Sequence, residues 1–237
     1  MNKLNIIGLS HSYGDFEILH SLNLSFRDGI SVVLGENGAG KSTLLSLIAT
    51  LFPLQSGNIY LNETLYSANN LSLIRSHIGY LPQFPSFPGN FRVQECLEYQ
   101  LWLQRVPRAT WKSNINKATE LTFTTTHLDT KLTQLSGGTQ RRVFIAQAIV
   151  HNPQLIILDE PASGLDPLQQ EHLNETLTRI SRNRIVILST HSLDQASQLA
   201  ENLILLHEGN ATQRSYADNE KPSLDELRRS LIEGHLS

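Results

Sequence analysis

Between the apolar run Ile30–Leu34 and a helical pattern beginning at Lys41 stands the segment Gly35-Glu36-Asn37-Gly38-Ala39-Gly40-Lys41-Ser42. Its spacing, G-x-x-x-x-G-K-[ST], joins a strand to a helix through a loop that cradles phosphate. The glycines permit backbone turns that other residues resist, so successive N–H groups point inward at phosphate oxygens. Unpaired donors at the start of the helix add to the same field. In such a loop Lys41 reaches the β and γ phosphates of a nucleoside triphosphate, Ser42 places its hydroxyl on Mg²⁺, and Thr43 follows as a further phosphate contact. The helix itself is expected over Lys41–Leu51, where Leu44, Leu45, Leu47, Ile48 and Leu51 recur at helical spacing.

The rest of the chain supplies the matching architecture. Buried strands are expected at Ile30–Leu34, Ile78–Leu81, Leu155–Leu158, Ile185–Leu188 and Leu203–Leu206, separated by helix-length segments such as Gly137–His151 and Pro167–Ser181. This alternation predicts an α/β fold with a mainly parallel sheet. Leu22–Phe26 and Asn58–Leu61 alternate apolar and polar residues, which predicts a small antiparallel β lobe near the N-terminus. Between about 85 and 135, Val93–Leu103 and Trp111–Leu121 read as helices of an inserted lobe, its entrance crowded by Pro82, Pro85 and Pro88. The chain is thus expected to form one domain over 1–210 and a short tail over 211–237. In the tail, a polar, turn-rich stretch from Ala211 to Pro222 precedes a helix capped by Ser223 and running to about Ile232.

Composition excludes several classes. A net charge of −3 and a pI near 6.3 lack the excess of cations that a phosphate backbone demands, so nucleic acid is not an expected partner. Cys96 is the only cysteine, which rules out an internal disulfide and fits a reducing compartment. No apolar stretch approaches the roughly 18 residues of a membrane span, so a membrane is reached only through a partner.

A second acidic motif completes the phosphate site. Leu155-Ile156-Ile157-Leu158-Asp159-Glu160 is an apolar strand ending in two carboxylates, and ligands of open α/β sheets gather at such strand ends. Asp159 is expected to hold Mg²⁺ through water, and Glu160 to polarise a water for in-line attack on the γ-phosphate.

Leu135-Ser136-Gly137-Gly138-Thr139-Gln140-Arg141-Arg142 then resembles the signature of the ABC ATPases, a P-loop family. The usual form is LSGGQ, and Thr139 departs from it at the fifth position. Ser136 is a suitable N-cap, and Gly137 and Gly138 leave helix-end N–H groups accessible, which makes a second anion site. The resemblance implies that this site, with Gln140 beside it, serves ATP held by a partner subunit. Further landmarks stand in the family's order: Tyr13 matches the aromatic that stacks on adenine, and Gln83 the glutamine linking the nucleotide and its metal to the helical lobe. Asp166, in Ser163-Gly164-Leu165-Asp166, matches the aspartate that communicates across the dimer, and His191 the histidine near the γ-phosphate. Taken singly, Tyr13 also fits a turn tyrosine, Gln83 a solvated loop residue and His191 a strand-end cap. Arg141 and Arg142 read as a solvated helix face, and Trp102 and Trp111 as packing or partner-contact residues.

The resemblance spans about Leu4 to Gly209 and implies an ATP-hydrolysing cassette that pairs head to tail with a second ATP-binding subunit, identical or different. It implies coupling to a separate transmembrane transporter subunit, and a cytoplasmic location peripheral to the membrane. Arg141–Ala148 and Tyr80–Phe84 look closer to bacterial exporters than to nutrient importers, and no regulatory domain fits after Gly209. The rival is a soluble assembly ATPase, as in iron-sulfur cluster biogenesis. A nucleotide-gated scaffold is a third possibility, disfavoured by intact Lys41, Glu160 and His191.

Overall fold

The computed structural model of the chain describes residues 1–88, 90–216 and 220–236. Strands β1 (Lys3–Tyr13) and β2 (Phe16–Arg27) meet at the Gly14-Asp15 turn, where Gly14 takes a φ of 60°. A two-residue hairpin of this kind places glycine at its first central position. There follow β3 (Gly29–Leu34), α1 (Lys41–Ile48), β4 (Ser56–Leu61), β5 (Thr64–Leu65), α2 (Leu71–Ser76) and β6 (Ile78–Leu81). Next come α3 (Val93–Leu103), α4 (Trp111–Leu121), α5 (Gly137–Ile149), β7 (Leu155–Leu158), α6 (Pro167–Ile180) and β8 (Ile185–Thr190). The order closes with α7 (Leu193–Leu199), β9 (Asn202–His207), β10 (Asn210–Ser215) and α8 (Leu224–Glu233).

Among the described residues the strands form two sheets, an antiparallel one in the order β2-β1-β4-β5 and a core sheet in the order β10-β9-β3-β8-β7-β6. The core sheet is parallel except for its edge strand β10. Its apolar runs are continuous because both faces are covered. Val32, Leu34, Ile156, Leu158, Val186 and Leu188 face α3–α7, while Val33, Leu155, Ile157, Ile185 and Ile187 face α1 and the antiparallel sheet. The strand period of two assigns neighbouring residues to opposite cores.

The antiparallel lobe forms as expected, with Leu22–Phe26 and Asn58–Leu61 on either side of β1, Ile6 facing Leu24 on one side and Ile59 on the other; two other expectations are corrected. β1 escapes a sequence reading because its alternation slips at a bulge around Gly8, whose φ is 62°. As far as Ser215 the polar stretch from Ala211 is strand β10 rather than turns, since an edge strand satisfies polar side chains in water; residues 217–219 of that stretch lie outside the described residues. Finally, α1 stops at Ile48 rather than Leu51, because Thr50 turns into the left-handed region at φ 61°.

Candidate nucleotide and catalytic site

The loop between β3 and α1 depends on glycine at two places. A Cβ on Gly35 would lie 2.4 Å from the Leu206 carbonyl oxygen, and Gly40, the N-cap of α1, takes a φ of 100°. From that turn Lys41 enters the protein. Its Nζ donates to the carbonyls of Gly35 at 2.8 Å and Glu36 at 3.0 Å and stands 3.8 Å from Glu160 Oε1. Burial lowers the Lys41 pKa, and the charges of Glu160 and Asp159 oppose that shift.

Tyr13, Ile18, Asn37, Gly38, Gly40, Lys41, Ser42, Thr43, Gln83 and Glu160 line a cleft of about 400 Å³ over this loop. Gly38 faces open space, and Glu36, Asn37 and Ser42 are exposed, so the loop is free to receive phosphate oxygens. Mg²⁺ dehydrates reluctantly and is usually held by one or two protein oxygens together with substrate phosphates. The exposed Ser42 hydroxyl and the buried Asp159 carboxylate suit that donor set. Among the described residues no three His, Cys, Asp or Glu side chains gather as a self-sufficient metal cage.

At the end of β7 the two carboxylates are held differently. Ser189 Oγ donates to Asp159 Oδ1 at 2.6 Å and accepts the Glu160 N–H at 2.8 Å, so one hydroxyl braces both residues. Glu160 has a φ of 45°, a conformation that a side-chain-bearing residue keeps only when its surroundings enforce it. Its Oε2 meets Nδ1 of the exposed His191 at 3.0 Å. The chain Lys41–Glu160–His191 therefore connects the phosphate loop with the ends of β7 and β8.

Arg141 corrects the expected solvated face: it is 7% exposed. Its Nε donates to the Pro161 carbonyl at 2.7 Å, Nη1 to the Gln83 carbonyl at 3.1 Å and Nη2 to the Glu160 carbonyl at 2.6 Å. Arg142 is partly buried, with Nη2 3.5 Å from Thr139 Oγ1. Sequence reasoning misses Arg141 because its partners lie far along the chain. It misses Ser189 because the strand was expected to end at Leu188; a Ser-Thr pair closing an apolar strand was the available signal.

The remaining landmarks fall into two places. Tyr13 stands at the cleft, its hydroxyl 3.5 Å from Thr43 Oγ1 and its ring edge-on to His11 and Phe52. Ser136 caps α5, its Oγ accepting the Thr139 N–H, and Gly137 is exposed with nothing within 4 Å of a would-be Cβ. Gly138 is buried against Gln169, and Gln140 Nε2 donates to the Leu132 carbonyl at 2.7 Å. Asp166 caps α6 through the Gln169 N–H. None of Ser136, Gly137, Gly138, Gln140 or Asp166 lines the cleft over the phosphate loop.

Known proteins resemble the chain in sequence and fold. A family model described as "ABC transporter" matches residues 19–163. The chain is 35% identical over 211 residues to the glycine betaine uptake system ATP-binding protein YehX of Escherichia coli, covering 87% of this chain and 68% of the relative. It is 31% identical over 231 residues to the Nod factor export ATP-binding protein I of Rhizobium etli, covering 96% of this chain and 71% of that one. It spans only 9% of a far longer relative, ATP-binding cassette sub-family A member 7 of mouse, at 35% identity over 81% of this chain. Among solved structures, one described as the ATP binding subunit of an ABC transporter superposes with a TM-score of 0.82 at 26% identity, covering 97% of this chain and 99% of the other.

Proposed function

The chain belongs to the ABC transporter family as an ATP-binding and ATP-hydrolysing subunit, and from that premise we propose that it drives transport through a separate transmembrane subunit. Among the described residues no helix is long and apolar enough to cross a membrane. We propose, on the family resemblance, that the chain works at the cytoplasmic face, held there by its partner.

Within the site, residues 35–43 bind the triphosphate, with Lys41 on its β and γ groups and Tyr13 against the adenine. Ser42, Asp159 and Gln83 would hold Mg²⁺, which supplies charge neutralisation at the phosphates. Glu160 orients the attacking water and draws its proton, and the products are ADP and phosphate. His191, bonded to Glu160 Oε2, fixes the side chain that does this work.

One observation carries the dimeric part of the proposal: Ser136 and Gly137 stand exposed at a helix N-terminus, outside the cleft of their own chain. An anion site outside the cleft of its own phosphate loop is suited to the ATP of a second subunit, paired head to tail with Asp166 at the same junction.

The relatives divide between uptake and export. Export is the direction we propose, on the exporter-like strings Arg141–Ala148 and Tyr80–Phe84. The experiment is to isolate the chain with its native partner from membrane extracts. An integral membrane protein at fixed stoichiometry is expected, and a soluble assembly complex such as that of iron-sulfur biogenesis would replace this account.

A further inference from the structure

The Arg141 guanidinium has no part in the proposed chemistry, yet it is among the most constrained groups near the cleft. It is buried, and its hydrogen-bond acceptors are neutral carbonyls of three residues in two loops: Gln83 after β6, and Glu160 and Pro161 after β7. Among the described residues no carboxylate lies within ion-pair distance of it. Burial of this cation is costly and lowers its pKa; the nearby charges of Asp159 and Glu160 oppose that shift, and charge-assisted bonds to the three carbonyls offset the cost further. The planar fork of a guanidinium also dictates where its acceptors sit relative to one another, as a lysine ammonium does not.

Glu160 is the residue most affected. Its N–H is held by Ser189 Oγ and its carbonyl by Arg141 Nη2, on either side of a strained φ of 45°. The backbone that carries its carboxylate is therefore clamped on both sides of the Cα, while His191 holds the carboxylate itself. One clamp, Ser189, belongs to β8. The other belongs to α5, the helix whose first turn carries Ser136 and Gly137.

We propose that Arg141 is a positioning residue that joins the signature helix to Glu160 and Gln83 of its own chain. Seating α5 on a partner's nucleotide then aligns the carboxylate over the nucleotide of this chain. This inference rests on the assignment of Glu160 to the attacking water. The two sites of a head-to-tail dimer would be linked inside one subunit by one side chain.

The test is a double-mutant cycle on the full chain, reading ATP affinity, ATP-driven dimer mass and single-turnover hydrolysis. Arg141→Met is expected to keep ATP affinity within about twofold and to lower hydrolysis by about 10- to 100-fold, the range that a small misplacement of a catalytic group produces. Arg141→Lys, which keeps the charge but not the fork, should recover only part of the rate. In the Glu160→Gln background Arg141→Met should cost nothing further, because residues acting as a unit are not additive. Equal losses with and without Glu160, or a parental rate in Arg141→Met, would overturn the proposal. If Arg141→Met fails to fold, Arg141→Lys decides: a reduced rate at parental affinity supports the role and a parental rate refutes it. A parental rate in Glu160→Gln alone would instead refute the assignment of Glu160.

Discussion

Lys41 Nζ lies 3.8 Å from Glu160 Oε1, and both side chains are less than a tenth exposed. The ammonium that would face the β and γ phosphates is thus held beside the carboxylate that would face the attacking water. Nζ also donates to the carbonyls of its own loop, Gly35 and Glu36.

Replacing Lys41 with Ala leaves the backbone donors of the loop in place and removes this charge. Hydrogen bonds to charged groups are worth about 1.5–3 kcal/mol, so MgATP affinity should fall by about tenfold to a hundredfold. Calorimetry on the variant checks this, and parental affinity would sink the assignment of Lys41.

Glu160→Gln keeps the shape and the bond to His191 but removes the base. The variant is expected to bind ATP as the parent does, to hydrolyse it at least about a hundredfold more slowly, within the range attributed to general bases, and to remain dimeric for longer. Phosphate release under single-turnover conditions measures this. A parental rate would assign the base role elsewhere.

The parts legible in the sequence are local geometry: the strand-to-helix loop before Lys41, the apolar strand that ends at Asp159 and Glu160, and the Ser136 cap. Phosphate cradles and helix caps are local, and local rules expose them. Arg141 was not legible because its meaning lies in carbonyls at positions 83, 160 and 161, and any residue type supplies a carbonyl. Ser189 was hidden for a similar reason, as a small polar residue finishing a buried strand also fits a cap. β1 was obscured by the bulge at Gly8, which breaks the two-residue period on which strand reading depends.

Tyr13 is a sharper test of the adenine end. Its ring is half exposed and steadied by His11 and Phe52 rather than packed away. If it stacks on the base, Tyr13→Ala should cost about 1 kcal/mol of ATP affinity, the lower end for an aromatic under a base. Affinity for inorganic triphosphate should not change. Equal losses for both ligands would show that Tyr13 acts on the phosphate loop instead.

His151 offers a pH test of the fold. Burial lowers its pKa from 6.5 to about 4, against the bond its Nε2 donates to the Ile78 carbonyl, with a smaller push from His77. The unfolded chain takes up a proton near pH 6.5 that the folded chain refuses until about pH 4. Stability from this group is therefore complete above about pH 6.5 and declines as pH falls toward 4. Urea denaturation at pH 7.5 and pH 5 should show a smaller loss in His151→Gln than in the parent. An identical loss would contradict the burial of a neutral imidazole.

The central claim is that the signature of one subunit closes on the ATP of another, and Gly137→Asp in the Glu160→Gln background tests it. Gly137 is exposed with open space around it, and an acidic residue in the first turn of a helix suits the helix dipole, so the fold should accept the change. A carboxylate there would face a γ-phosphate across a partly desolvated gap, where like charges repel more strongly than in water. The measurement is particle mass in solution with and without ATP, alongside nucleotide affinity. The account predicts that Glu160→Gln doubles its mass on ATP, whereas Glu160→Gln with Gly137→Asp binds ATP equally well and stays monomeric. An ATP-induced dimer that survives Gly137→Asp, or a loss of ATP binding in the monomer, would contradict it.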